Sequence, residues 1–148
     1  MNYRKIESND VPDLIALRGK TRENAISAEQ LAALGITPAR VIDYLRTTHQ
    51  GWLCAVEGTI VGFAIGDGST GELWVIAVLP DFEGRGIGSR LLSLVENWLW
   101  SQGPPSLWLW TDVDESRRAF SFYRRHGWEK DRIEGDALFL RKQRHVTR

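Results

Sequence analysis

The sequence predicts an α+β domain, with a mixed sheet held between two layers of helix. Three observations predict it. Runs with strand character alternate with amphipathic helical runs along all 148 residues, with no repeat and no linker that would divide the chain. The run Glu72–Leu79 is nearly all apolar, as in a central strand covered on both faces. It enters a glycine-rich turn (Gly84, Gly86, Gly88) that opens a helix with an apolar stripe of Leu91, Leu92, Val95 and Leu99. One domain of this length buries a substantial core.

Each element has its own signal. Tyr3–Ile6 reads as a short strand. Asp10-Val11-Pro12 starts a helix carrying Leu14, Ile15 and Leu17. Ser27-x-x-Gln30 is a capping box ahead of Leu31 and Leu34, and Gly35 ends that helix. Thr37-Pro38 caps the next, with Val41, Ile42 and Leu45 on its apolar side. Trp52–Val56 and Ile60–Ile65 form a hairpin about Glu57-Gly58-Thr59. The loop helix ends near Gln102-Gly103-Pro104-Pro105. Leu107–Thr111 is a strand, Ser116–His126 a helix stopped by Gly127, and Trp128–Arg132 and Ala137–Leu140 close the sheet.

The glycine turn points to a phosphate. Glycines allow close approach of backbone to ligand. The first turn of the helix offers unpaired N–H groups and a partial positive charge. The turn is not a P-loop, since no Lys-Ser/Thr follows the last glycine. It is not the dinucleotide fingerprint either, because the glycines recur at every second residue and lie past the middle of the chain.

Glu83-Gly84-Arg85-Gly86-Ile87-Gly88 resembles the acyl-CoA loop of the GNAT superfamily of N-acyltransferases, Gln/Arg-x-x-Gly-x-Gly/Ala, with Glu83 in the Gln/Arg position. A second block, Ser116 to Trp128, resembles the family's Asn-x-x-Ala-x-x-x-Tyr-x-x-x-Gly-Phe. Ala119, Tyr123 and Gly127 match it, Trp128 replaces its aromatic and Ser116 its Asn. The resemblance runs from about Trp52 to Arg141. It implies a mostly antiparallel sheet with a splayed gap between strands four and five, here Glu72–Leu79 and Leu107–Thr111. It implies acetyl-CoA as co-substrate, its pantetheine arm in the gap against the Ile76 and Val78 backbone. It places the pyrophosphate on the loop formed by Arg85, Gly86, Ile87, Gly88, Ser89 and Arg90, with Ser116 as a further cofactor contact.

Acyl transfer to an amine requires the amine to lose a proton, since an alkyl ammonium has a pKa of about 10.4 and no lone pair. It also requires donors for the oxyanion of the tetrahedral intermediate and a proton for the departing thiolate. Direct attack needs no protein nucleophile. The resemblance assigns Tyr123 as general acid beside the CoA sulfur, the alternative being a packed core tyrosine. Glu72, eleven positions before Glu83, stands where relatives carry a strand-four base; the alternatives are an exposed turn glutamate or an ordered water as base. Glu83 beside a pyrophosphate is unfavourable if it points inward and of small effect if it points to solvent.

The acceptor falls to the segment Arg18–Asn24, in the position of the family's acceptor loop. Glu23 would attract a cationic amine, and Arg18 or Arg22 a carboxylate. Asp112, Asp114 and Glu115 form a second acidic group after strand five. A solvated loop is the plain alternative.

The 19 basic and 19 acidic residues give zero net charge, which disfavours nucleic acid as a partner. Arg117, Arg118, Arg124 and Arg125 cluster on one helix, either as a solvated face or against the 3′-phosphate of CoA. One cysteine, Cys54, excludes an internal disulfide and reads as a buried thiol. With no signal peptide or long apolar run, the expectation is a cytoplasmic protein without a membrane partner. His49 and His126 read as structural or exposed, and no metal spacing occurs. Of seven tryptophans, Trp108 and Trp110 share one strand face, for the core or for a homodimer surface. The combined expectation is acetyl transfer to the primary amine of a small molecule or peptide. A protein lysine or N-terminal acetyltransferase, or a non-catalytic acyl-CoA-binding module, are the alternatives.

Overall fold

The computed structural model describes residues 1–22, 25–114 and 118–144. Seven strands form one sheet: β1 (Asn2–Lys5), β2 (His49–Val56), β3 (Thr59–Asp67), β4 (Glu72–Val78), β5 (Ser106–Asp112), β6 (Glu129–Glu134) and β7 (Ala137–Gln143). Their spatial order is β1-β2-β3-β4-β5-β7-β6, and only β4 and β5 are parallel neighbours. The helices are α1 (Val11–Arg18), α2 (Ala28–Ala33), α3 (Pro38–Thr47), α4 (Ile87–Ser101) and α5 (Arg118–Arg125). The expected α+β arrangement of helices on both faces of a mostly antiparallel sheet is therefore found.

Local chemistry sets the boundaries. Ser27 and Gln30 form the reciprocal capping box at α2, with Gln30 N–H to Ser27 Oγ at 3.1 Å and Ser27 N–H to Gln30 Oε1 at 2.9 Å. Thr37 Oγ1 accepts from the Arg40 N–H to start α3. Asp10 behaves differently from the expected helix cap. Its carboxylate takes both guanidinium nitrogens of Arg4, at 2.8 and 2.9 Å, and the Glu7 N–H at 2.7 Å. It thus fastens the exit of β1 to a single 3-10 turn (Ser8–Asp10). The β2–β3 hairpin turns at Glu57 and Gly58, both at positive φ, the geometry that matches strand twist in a two-residue turn.

Alternation along the strands builds two cores. Cys54, Val61 and Ala64 face α4 and α5, where they meet Leu91, Leu92, Val95, Leu99 and Trp128. Leu53, Phe63 and Ile65 face the other way, onto Leu14 and Leu17 of α1. Cys54 is buried, as its apolar strand implied. Leu107 and Leu109 of β5 join the α4 side, and Trp108 stacks on Phe139 of β7. Trp110 is 59% exposed, so it lies outside the core.

One buried charge ties α4 to the second half of the sheet. Glu96 is 6% exposed; it accepts from the Trp128 indole N–H at 3.0 Å and from Lys142 Nζ at 2.6 Å. Removing the carboxylate strands an indole N–H and an ammonium at the edge of the core, which is costly. Glu96→Ala is expected to lower the unfolding free energy by about 2–4 kcal/mol in urea titration. Adding Lys142→Met should recover part of that loss, and additive effects of the two substitutions would contradict the linkage.

Candidate active site

β4 and β5 pair at a single position, Glu72 with Trp108, where the Trp108 N–H reaches the Gly71 carbonyl at 3.1 Å. β5 then pairs along its whole length with β7. Past Glu72 the two parallel strands diverge, leaving the facing edge of β4 unpaired. Leu79 donates its N–H to Val61 on β3. Alternation along an antiparallel strand then aims the Ala77 N–H at β3, and those of Ile76 and Val78 into the opening. Buried or half-buried backbone groups require partners. An extended arm with amide groups fits this edge as an added strand would.

A bulge sorts the side chains around the opening. Ile65 pairs with Val75 and Gly66 with Leu73, so Trp74 is an extra residue in β4. Leu73 packs on the α4 side, while Val75 and Ala77 pack on the α1 side. Trp74 contacts the α1 and α3 clusters. Ile76 and Val78 return to the α4 side. The sequence reading of an unbroken strand missed this change of face.

At the wide end of the opening the chain passes a 3-10 turn (Pro80–Phe82) and the glycine turn, then enters α4. Gly86 is the N-cap of α4 at φ 82°, a left-handed conformation in which side chains are strained. A Cβ on Gly88 would lie 3.4 Å from the Phe122 ring, so the first turn of α4 packs tightly on α5. The N–H groups of Ile87, Gly88 and Ser89 have no partners within the helix. The Ile87 side chain is buried, which leaves this residue its backbone to offer. Arg85 lies over the Phe82 ring at 4.9 Å, and Arg90 over Tyr3 at 6.0 Å. Arg90 is therefore directed at β1, and only its backbone belongs to the loop. His126 links α5 to this turn. Its Nδ1 donates to the Phe122 carbonyl at 3.0 Å, and its Nε2 lies 2.9 Å from Ser89 Oγ.

Glu83 does not face the loop as an unpaired charge. Its Oε2 accepts from Arg22 Nε at 3.1 Å and from Arg118 Nη1. Two cations thus enclose the one acidic residue that departs from the family pattern. Arg22, expected near the acceptor, is paired with Glu83 of the loop. Asp112 accepts the Asp114 N–H at 2.8 Å and closes the turn after β5. Glu23, Glu115, Ser116 and Arg117 lie outside the described residues.

Tyr123 is 8% exposed, among Phe122, Trp128 and the α4 core. Burial raises its phenol far above the ordinary value, opposed by the charge of Arg18. Arg18 ends α1, which packs on the opposite face of the sheet from α5. Burial conversely lowers the pKa of Arg18. Glu72, at the vertex of the split, is half-buried. Desolvation first, and the Asp67 charge second, push its pKa up to about 7. Glu72 and Trp74 share a cavity of about 580 Å³ with Tyr44, His49 and Asp67, on the α3 face. His49, expected to be structural or exposed, is buried in that wall; burial lowers its pKa against the pull of Asp67, so it is neutral at pH 7. No sequence motif marks Tyr44, Asp67 or Trp74, which meet only through the register of β2, β3 and β4. Among the described residues there is no group of three or more His, Cys, Asp or Glu able to hold a metal ion. No described helix is long and apolar enough to cross a membrane.

A glycine turn and helix N-terminus for phosphate, opening onto a split parallel strand pair, define an acyl-CoA type of site. The sequence model of the acetyltransferase (GNAT) family matches residues 20–128, and the chain belongs to that family. An uncharacterised N-acetyltransferase of Methanocaldococcus jannaschii is 33% identical over 91 residues, 55% of this chain; the match spans 40% of that relative's length. The PaiA N-acetyltransferase from Thermoplasma acidophilum, solved with coenzyme A, superposes with a TM-score of 0.80 at 18% identity, over 97% of this chain and all of the other. The ribosomal-protein-S18-alanine N-acetyltransferase from Escherichia coli gives 0.77 at 18% identity, over 99% and 95%. At these identities the two structures are alike in fold.

The raised pKa of Glu72 has a stability consequence with a definite sign. The folded value, about 7, lies above the ordinary 4.5. The neutral carboxyl is favoured in the fold below the ordinary value, and that advantage is lost as pH rises through about 7. Glu72→Gln should therefore gain stability relative to the parent as pH goes from about 5 to about 8. Paired thermal melts measure this, and a pH-independent difference would contradict it.

Proposed function

We propose that this chain transfers the acetyl group of acetyl-CoA to the primary amine of a small molecule or peptide by direct attack. The observation that carries the reading is the unpaired Ile76–Val78 edge running into the glycine turn of α4. The edge supplies backbone partners for the amides of a pantetheine arm, and the turn supplies N–H groups for its pyrophosphate. The pairing of Glu83 with Arg22 and Arg118 removes its charge as an obstacle to phosphate.

Glu72 acts as the base. With a pKa of about 7 it is partly ionised at neutral pH and close in proton affinity to the pH at which it works. Tyr123 acts as the acid, because its buried phenol keeps its proton throughout the neutral range. The N–C bond forms first, giving a tetrahedral oxyanion, whose collapse breaks the C–S bond and releases the thiolate. An ammonium loses two protons on becoming an amide. One passes through Glu72 to solvent, and release of the other balances the proton that Tyr123 gives to sulfur.

Thiol release from acetyl-CoA across a panel of amines tests the reading. Amine-dependent release is expected, with kcat/KM falling on the acid side of about pH 7. Glu72→Gln should remove that acid limb, and Tyr123→Phe should lower kcat about 100-fold or more while leaving acetyl-CoA affinity intact. Coenzyme A binding without turnover of any amine would contradict catalysis.

A further inference from the structure

The cavity beside Glu72 identifies the class of acceptor, on the footing that the chain is the acetyltransferase proposed above. Two strand ends and one helix build it. Asp67, the last residue of β3, is paired in register with Glu72, the first of β4. Asp67 accepts from Ser69 N–H at 2.9 Å and Ser69 Oγ at 2.6 Å, both through Oδ1. Its Oδ2 faces His49 Nε2 at 3.9 Å, beyond hydrogen-bond reach. Those hydrogen bonds hold the pKa of Asp67 below its ordinary value in spite of burial, so its charge is permanent at neutral pH. The His49 ring opposite is neutral. Arg40 is the one basic residue in the lining. It is exposed and lies over the Tyr44 ring at 6.0 Å, on the α3 side of the cavity.

The walls are aromatic. Tyr44 stacks on His49, with ring centroids 4.6 Å apart and planes 14° apart. Trp74 meets both rings edge-on, at 5.6 Å from Tyr44 and 5.0 Å from His49. Glu72 and Trp74 share a face by strand alternation, and the bulge turns that face away from Ile76 and Val78, which lie on the α4 side. Trp74, half-buried beside the two carboxyls, offers aromatic surface to an organic cation.

We infer that the acceptor is a compact monoamine with an alkyl or arylalkyl body, bound as its ammonium at Asp67 and Glu72 with that body on Trp74 and Tyr44. Charge placement favours this over a polyamine. The two carboxylates adjoin one another, so the cavity has one cationic position and Arg40 opposes a second; this disfavours a polyamine. Asp67 is a positioning residue here: it draws the ammonium in and keeps Glu72 basic.

Steady-state thiol release is measured with 2-phenylethylamine, spermidine, an aminoglycoside and a lysine peptide, and acetyl-CoA binding is followed separately by calorimetry. The highest kcat/KM is expected for 2-phenylethylamine. Trp74→Leu, which keeps bulk in the fold, and Tyr44→Leu should each raise its KM about tenfold with acetyl-CoA affinity unchanged. Asp67→Asn should move the acid limb of the pH profile to lower pH, a shift that a purely structural role would not produce. A higher kcat/KM for the peptide, spermidine or the aminoglycoside, or an unchanged KM in both aromatic variants, overturns the acceptor assignment and leaves acetyl transfer standing. Acetyl-CoA binding with no turnover of any of the four overturns both.

Discussion

The site exists because β4 and β5 part after one residue pair. Parallel neighbours in the middle of a sheet normally satisfy each other's backbone along their length. Here β5 commits to β7 and β4 to β3, and the two meet only at Glu72 and Trp108. The remaining N–H groups of Ile76 and Val78 need a partner from outside the fold. Everything else at the site is arranged around that opening: the helix N-terminus at its wide end, the base candidate at its vertex, and the acid candidate buried beside it.

Charge placement keeps the opening usable. An acidic residue beside a phosphate turn would oppose the ligand, yet Glu83 is occupied by Arg22 and Arg118. Because these come from the segment after α1 and from the start of α5, Glu83 also connects two parts of the chain across the turn. The two carboxyls at the vertex are treated differently by their surroundings. Asp67 is held ionised by hydrogen bonds from Ser69, and Glu72 is held near neutrality by desolvation. In the proposed reaction these two groups of one chemical type divide the work of attracting a cation and accepting its proton.

The fold was legible because its signals are local. The hairpin turn between β2 and β3, the Ser27 capping box, the apolar run of β4 and the stripe of α4 each appear within a dozen residues of sequence. The glycine turn and Tyr123 were legible through a spaced motif. The bulge at Trp74 was not, since a continuous apolar run carries no mark of an inserted residue. The cavity at Tyr44, His49 and Asp67 was hidden for a related reason: its members are joined by strand register, which no short window contains. The pairing of Arg22 with Glu83, 61 residues away, likewise lies outside any local window.

The central claim is that the free edge of β4 receives the cofactor arm. Amide hydrogen exchange at Ile76 and Val78, with and without acetyl-CoA, addresses it directly. The account predicts strong protection of both amides on binding, together with those of Gly88 and Ser89 at the head of α4. Saturating acetyl-CoA that leaves Ile76 and Val78 exchanging at their free rates would contradict it.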